Sequence, residues 1–247
     1  MFRTSAINGN PPTSYNWQKH GGTSPVKDQL KDGNDSCNAG WAFAAVAALE
    51  SAQLLQSNIL ATYSEQQLID CSSGYGNDGC TAGLASNAIE YVNQEGGIQS
   101  DTTYTYTAAK GTCKANAGNY ELASGPPVNI TVGDESTLVA AVYTTPVAVG
   151  LSIGDDFRQY TSGVFQSTTC GTTAADINHA GLIVGYGTDA DSGLDYWLVK
   201  NSFGDDWGVS GYFYIERGVN MCAIAECNSY PSSVESLNFL SSSTPMQ

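Results

Sequence analysis

Basic side chains are scarce in this chain. Nine Lys and Arg stand against 24 Asp and Glu, for a net charge of −15 and a pI near 4.1. Such a surface repels phosphate backbones and anionic membranes, which argues against a nucleic-acid partner. No apolar run reaches the roughly 20 residues of a membrane helix, so no membrane partner is expected. Histidine is rarer still, with only His20 and His179, and no Cys-x-x-Cys pair occurs. That combination makes a zinc site a poor reading; no metal and no other cofactor is expected. Met1 to Asn10 has no apolar core and does not read as a signal peptide.

What is present is enough for a large core: 247 residues, 41% of them hydrophobic, arranged as one compact unit or two lobes. Seven scattered cysteines point to disulfides and an oxidising compartment. The acidic balance fits work at low pH, where protonated carboxylates relieve self-repulsion; it fits plain solubility equally well.

The patterning divides the chain. Ala39 to Gln56 is apolar nearly all round and reads as a buried helix. Ser64 and Gln67 have the spacing of a capping box for a short helix. Leu84 to Gln94 reads as a third helix, stopped at Gly96-Gly97. Beyond Ser124-Gly125-Pro126-Pro127 the apolar runs shorten into strands: 128–132, 147–153, 182–186, 196–200 and 212–216, with a short helix near 138–143. A mainly helical half thus precedes a mainly β half, and the cleft between two such lobes is where a site is expected.

Several motifs recur in a fixed order. Cys37-Asn38-Ala39-Gly40-Trp41-Ala42-Phe43 opens the buried helix; Ser24-Pro25-Val26-Lys27-Asp28-Gln29 precedes it. Tyr63-Ser64-Glu65-Gln66-Gln67-Leu68-Ile69-Asp70-Cys71 and Gly79-Cys80-Thr81-Ala82-Gly83 follow. In the second half stand Asn178-His179-Ala180-Gly181 and Lys200-Asn201-Ser202-Phe203-Gly204-Asp205-Asp206-Trp207-Gly208. Together these resemble the papain family of cysteine peptidases, over about Pro12 to Pro231.

The resemblance implies an α+β, two-lobed papain-like fold: a mainly helical lobe over 11–122, an antiparallel sheet or barrel lobe over 123–231, and a mobile tail over 232–247. It implies disulfides Cys37–Cys80, Cys71–Cys113 and Cys170–Cys222, leaving Cys227 over. In the family the helix opens Cys-x-x-Cys-Trp-Ala-Phe and the second Cys is the nucleophile, activated as a thiolate at a helix N-terminus. Gly40 stands at that position here. His179 matches the catalytic base, Asn201 the residue that orients it, and Gln29 the oxyanion donor. Gly83, Leu84, Gly150, Ile177, Asn178, Trp207 and Cys227 match substrate-binding positions; of these Leu84, Gly150, Ile177 and Cys227 match the pocket for the second substrate residue and make it fairly apolar. Cys227 reads as a small buried hydrophobe rather than a relocated nucleophile.

The chain also departs from the pattern. Residues Leu30 to Ser36 lengthen the link before Cys37, which either bulges outward or displaces Gln29; Ala82 replaces a Gly and Phe203 a Trp. Asn34-Asp35-Ser36 and Asn129-Ile130-Thr131 are glycosylation sequons. Family enzymes carry an export signal and a pro-segment, and neither is expected within this stretch. Three readings stay open: a homologue inactive for want of the thiol that binds peptides in the cleft, an endopeptidase silenced by an engineered Cys-to-Gly change, or a storage protein that keeps only the fold. Seed-storage members with Gly at this position exist in the family. A secreted, lysosomal or vacuolar monomer is expected.

Overall fold

The computed structural model describes residues 10–30 and 36–237. In chain order its strands are β1 (Tyr15–Asn16), β2 (Leu122–Ser124), β3 (Pro127–Asn129), β4 (Val147–Leu151), β5 (Val164–Phe165), β6 (His179–Thr188), β7 (Asp195–Lys200), β8 (Tyr212–Glu216), β9 (Asn228–Pro231) and β10 (Val234–Ser236). Its α-helices are α1 (Gly40–Ser57), α2 (Glu65–Cys71), α3 (Ala85–Glu95), α4 (Glu135–Thr144) and α5 (Asp155–Arg158).

The architecture is two-lobed α+β. α1 to α3 pack around one core that includes Leu49, Leu68, Ile89 and Val92. The second core lies on a sheet of order β3-β9-β4-β6-β7-β8-β5, with β1 added against β6. Its pairs are antiparallel except β5 with β8. α1 joins the lobes. Its Ala44, Ala47 and Ala48 meet Ala148, Ala180 and Leu182 of the sheet. Alanine on that helix face keeps the layers close, because no bulky side chain separates them.

Two short strands cross between the lobes and set aside a simple cut at residue 122. β1, from the first half of the chain, pairs with β6 at Tyr15–Tyr186 and Asn16–Gly185. Gly185 is required there, since a Cβ would stand 2.4 Å from the Tyr15 carbonyl oxygen. At the other end β10 pairs with β2, and Val234 is buried in the helical core. The expected mobile tail from 232 is therefore corrected over 232–237: an apolar residue and a strand partner hold it. Residues 238–247 lie outside the described residues.

The helices begin and end for local reasons. α2 is capped by Ser64, whose side chain accepts from the Gln67 N–H. The reciprocal half of the expected capping box is absent. The Gln67 amide instead reaches Tyr91, Gly97 and Gln99, tying α2 to the segment after α3. α3 stops at Gly96, which takes φ +85. Three disulfides, Cys37–Cys80, Cys71–Cys113 and Cys170–Cys222, fasten the loops around these elements.

Candidate active site in the interlobe cleft

α1 starts in the cleft. No side chain caps it, for Ala39 sits at the N-cap and makes no side-chain bond. The Ala42 and Phe43 N–H groups donate to the Ala39 carbonyl, and no side chain caps the N–H groups ahead of them; a helix N-terminus of this kind favours a bound oxygen or anion. Gly40 is the first helical residue and is buried. An ideal Cβ on it would lie 2.8 Å from His179 Nδ1 and 3.2 Å from the Ala180 backbone N. Position 40 therefore faces the imidazole directly.

His179 opens β6 and is 5% exposed. Its Nε2 lies 2.8 Å from Oδ1 of Asn201, the residue just after β7, the strand paired with β6. Phe203 covers the imidazole at a ring distance of 4.9 Å, and Trp207 meets Phe203 edge-on at 5.5 Å. The smaller ring at 203 thus still shields the His179–Asn201 pair.

Gln29 is held twice by Ser202. Its N–H donates to the Ser202 carbonyl at 2.8 Å, and its Oε1 accepts from the Ser202 hydroxyl at 2.8 Å. With Oε1 engaged, the amide NH₂ is the end left to donate. Residues 31–35 of the long link lie outside the described residues; Gln29 itself is anchored beside Asn201 through Ser202.

The substrate-matched positions gather around two adjoining hollows. One, of about 170 Å³, is bordered by Trp41, Gly83, Ile177, Asn178 and His179. The other, of about 260 Å³, shares Gly83, Ile177 and His179 and adds Leu84, Gly150 and Cys227. Gly83 lies flat on Trp41, where a Cβ would come within 2.4 Å of the indole. Gly150 faces Ile177 and Cys227, where a Cβ would stand 2.8 and 3.2 Å from them. The Asn178 side chain is committed to the fold, bonded to both the N–H and the carbonyl of Ile153. Trp207 stands apart from both hollows, its Nε1 donating to the Arg158 carbonyl. Cys227 is a free, half-buried thiol; burial, with Glu226 beside it, raises its pKa.

Two features escaped the sequence reading. The larger hollow is not wholly apolar: Glu226 and Asn228 also border it, as does the exposed sequon residue Asn129. Behind the site lies a buried ion cluster. Lys27 Nζ meets Glu50 at 2.7 Å and Glu65 at 2.8 Å. Lys200 Nζ donates to Ser24 Oγ at 2.9 Å, and Ser24 in turn donates to Glu50. Burial alone would lower the Lys27 pKa, but its two carboxylate partners outweigh that and raise it. Burial raises Glu65 to about 7 against the opposing pull of Lys27, with Glu50 adding to the rise. Burial lowers Lys200 to about 8. A lone Glu50 inside the apolar run of α1 was the available signal, because a buried charge needs a partner. Among the described residues no group of three or more His, Cys, Asp or Glu is placed to hold a metal, and no helix is long and apolar enough to cross a membrane.

Comparison with known proteins bears on this arrangement. The family model described as "Papain family cysteine protease" matches residues 11–232. Pro-cathepsin H of Medicago truncatula is 46% identical over 223 residues, covering 89% of this chain and 61% of that protein. Pro-cathepsin H of Mus musculus is 42% identical over 222 residues, covering 89% and 65%. The chain thus spans less than two thirds of the length of these curated relatives. Among solved structures, digestive procathepsin L 3 of Tenebrio molitor larval midgut matches with TM-score 0.82 at 37% identity, covering 91% of this chain and 71% of that one. The bromelain protease of Ananas comosus, in complex with the E64 inhibitor, matches with TM-score 0.76 at 37% identity, covering 90% and 99%. With a motif set that runs the length of the chain, a cleft built by α1 and β6, and these matches, the chain belongs to the papain family of cysteine proteases.

Proposed function

We propose that this chain binds peptides in the interlobe cleft without cleaving them. The observation that carries the reading is position 40. It faces His179 Nδ1 at the uncapped start of α1, where the family pattern places its nucleophilic Cys, and it holds Gly. Hydrolysis by that route needs a sulfur to attack the carbonyl and a base to take its proton, and a glycine supplies no attacking atom. In a unit of nucleophile, base and oxyanion donors, loss of the nucleophile alone removes most of the rate. What remains suits binding: the uncapped start of α1 at Gly40, the Gln29 amide, the open backbone at Gly83 and two adjoining hollows. His179, Asn201 and Gln29 keep the roles implied by the family pattern only as a scaffold for a bound carbonyl. The three disulfides fit a secreted, lysosomal or vacuolar site, and the working form is a monomer.

The retained His179–Asn201 pair favours a second reading, an endopeptidase that lacks only its thiol. A fluorogenic-peptide assay at mildly acidic pH under reducing conditions separates the two, run on the chain and on Gly40→Cys. Silence from both, with both folded, supports the binding reading. Brisk turnover by Gly40→Cys supports the second. Turnover by the unmodified chain overturns the first.

A further inference from the structure

The cleft keeps a positioned base beside a residue that has no side chain. Asn201 Oδ1 only accepts, so its 2.8 Å contact puts the ring proton of neutral His179 on Nε2 and the lone pair on Nδ1. Asn201 is 3% exposed, and Phe203 lies over the imidazole at 4.9 Å, so tautomer and orientation are fixed together. Nδ1 stands 2.8 Å from where a Cβ on residue 40 would begin, and Gly40 carries only hydrogen there. Both hollows of the cleft, of about 170 and 260 Å³, reach His179, and each has room for water beside a small substrate. The uncapped start of α1 and the Gln29 amide remain as donors for a negatively charged oxygen.

We propose that the cleft hydrolyses activated esters with water as the nucleophile and His179 Nδ1 as the general base. This activity goes beyond peptide binding and does not depend on it. The water oxygen bonds to the ester carbonyl carbon while one of its protons passes to Nδ1. The carbonyl electron pair moves onto its oxygen, which the α1 start and the Gln29 amide stabilise. The tetrahedral adduct then reforms the carbonyl and expels the aryloxide, which takes up the proton from the imidazolium. The products are a carboxylic acid and a phenol, and no bond to the protein forms at any point. Magnitudes decide which substrates turn over. A positioned general base contributes about 10²–10⁴-fold. A site stripped of its nucleophile keeps about 10³–10⁴-fold over water. That suffices for an aryl ester, which water already cleaves and whose aryloxide leaves unaided. Enzymes that cleave slow substrates supply far more, up to about 10¹⁷-fold. A peptide is such a substrate, and its amine leaves only once protonated. Esters are therefore hydrolysed in the same cleft that leaves peptides whole.

The test is nitrophenol release from a blocked alanine p-nitrophenyl ester across mildly acidic to neutral pH. It is run on the full chain, on His179→Gln and on Gly40→Ala. The turnover rate constant of the chain is expected to exceed that of buffer by about 10²–10⁴-fold. It rises with pH to a plateau as the imidazole loses its proton, and nitrophenol appears without a burst. His179→Gln, shown to be folded by its thermal unfolding, falls to the buffer rate. Gly40→Ala, whose methyl crowds Nδ1, falls by about tenfold or more. A chain no faster than buffer overturns the proposal, as does a rate that survives His179→Gln. A burst equal to the amount of chain overturns it too, because a protein group has then been acylated. An unchanged rate in Gly40→Ala overturns the place given to the water beside residue 40. Peptide binding is read separately, by anisotropy, so either reading can fail while the other stands.

Discussion

The first carbon of any side chain at position 40 would stand 2.8 Å from Nδ1 of His179, closer than side chains approach in folded proteins. The ring has little room to retreat, since Asn201 holds its Nε2 and Phe203 covers its face. Overpacking of this kind costs about 1–3 kcal/mol. Better helix propensity returns less than about 1 kcal/mol of that. Gly40→Ala is therefore expected to lose about 1 kcal/mol, or about 2–4 °C in thermal midpoint. Differential scanning calorimetry reads it directly. An unchanged or raised midpoint would show that the imidazole moves aside freely.

Lys27 neutralises two carboxylates that the fold has taken out of water. Lys27→Met removes the direct cation of Glu50 and Glu65 and leaves only Lys200, which reaches Glu50 through Ser24. Breaking a buried pair from one side costs about 3–5 kcal/mol. Since the Lys27 side chain is 21% exposed, the low end applies, about 3 kcal/mol and a fall of roughly 6–12 °C at pH 7. The loss is larger at pH 8.5 than at pH 6, because Glu65, raised to about 7 by burial even beside Lys27, gives up its proton only at the higher pH. A loss independent of pH would contradict this account of the cluster.

The raised carboxyl of Glu65 makes stability depend on pH. It titrates near 7 in the fold and at 4.5 without it. Between those values the folded chain holds a proton that the unfolded chain has released. Stability from this group is thus full below about 4.5 and falls as pH rises to about 7. Asp134, held at about 2 by the hydroxyls of Ser136 and Thr137, acts in the opposite sense, as do the lowered Asp176 and Asp189. Their contribution is present above 3.8 and is lost as pH falls below it. Urea midpoints measured from pH 3 to 8 should therefore peak near pH 4 to 4.5. Glu65→Gln should flatten the arm between about 4.5 and 7. A wild-type profile that rises toward pH 7 would reverse the sign assigned to Glu65.

Cys227 is half-buried, and its thiol is held in the neutral form by burial and by Glu226. Only the thiolate reacts quickly. Iodoacetamide at pH 7 should modify it many-fold more slowly than a free thiol, with the full rate returning in urea. Rapid modification of the folded chain would revive it as a candidate nucleophile.

Much of this was legible because the informative residues come in short local strings. Cys37 to Phe43, Asn178 to Gly181 and Lys200 to Gly208 each carry one piece of the site, and long apolar periods mark α1, α3 and the strands of the sheet. The crossing strands were not legible. β1 has two residues and β10 three, too few to show an alternation, and what fixes them is a partner far along the chain. The ion cluster was missed for a similar reason: Lys27, Glu50, Glu65 and Lys200 come from four separate elements. Gln67 read as a cap because its spacing from Ser64 suits one, yet buried partners beyond α3 compete for its amide and win. Glu226 and Asn228 flank a matched residue, and only the folded hollow shows that they border it too.

The central claim is that the cleft binds a peptide and leaves it whole. A single sample tests it: the unmodified chain with a fluorogenic peptide, at mildly acidic pH under reducing conditions. Anisotropy reports binding and released fluorescence reports cleavage in the same well. Saturable anisotropy with no released fluorescence is the predicted result. Fluorescence released in proportion to the amount of the chain, or no anisotropy change at any concentration, would contradict it.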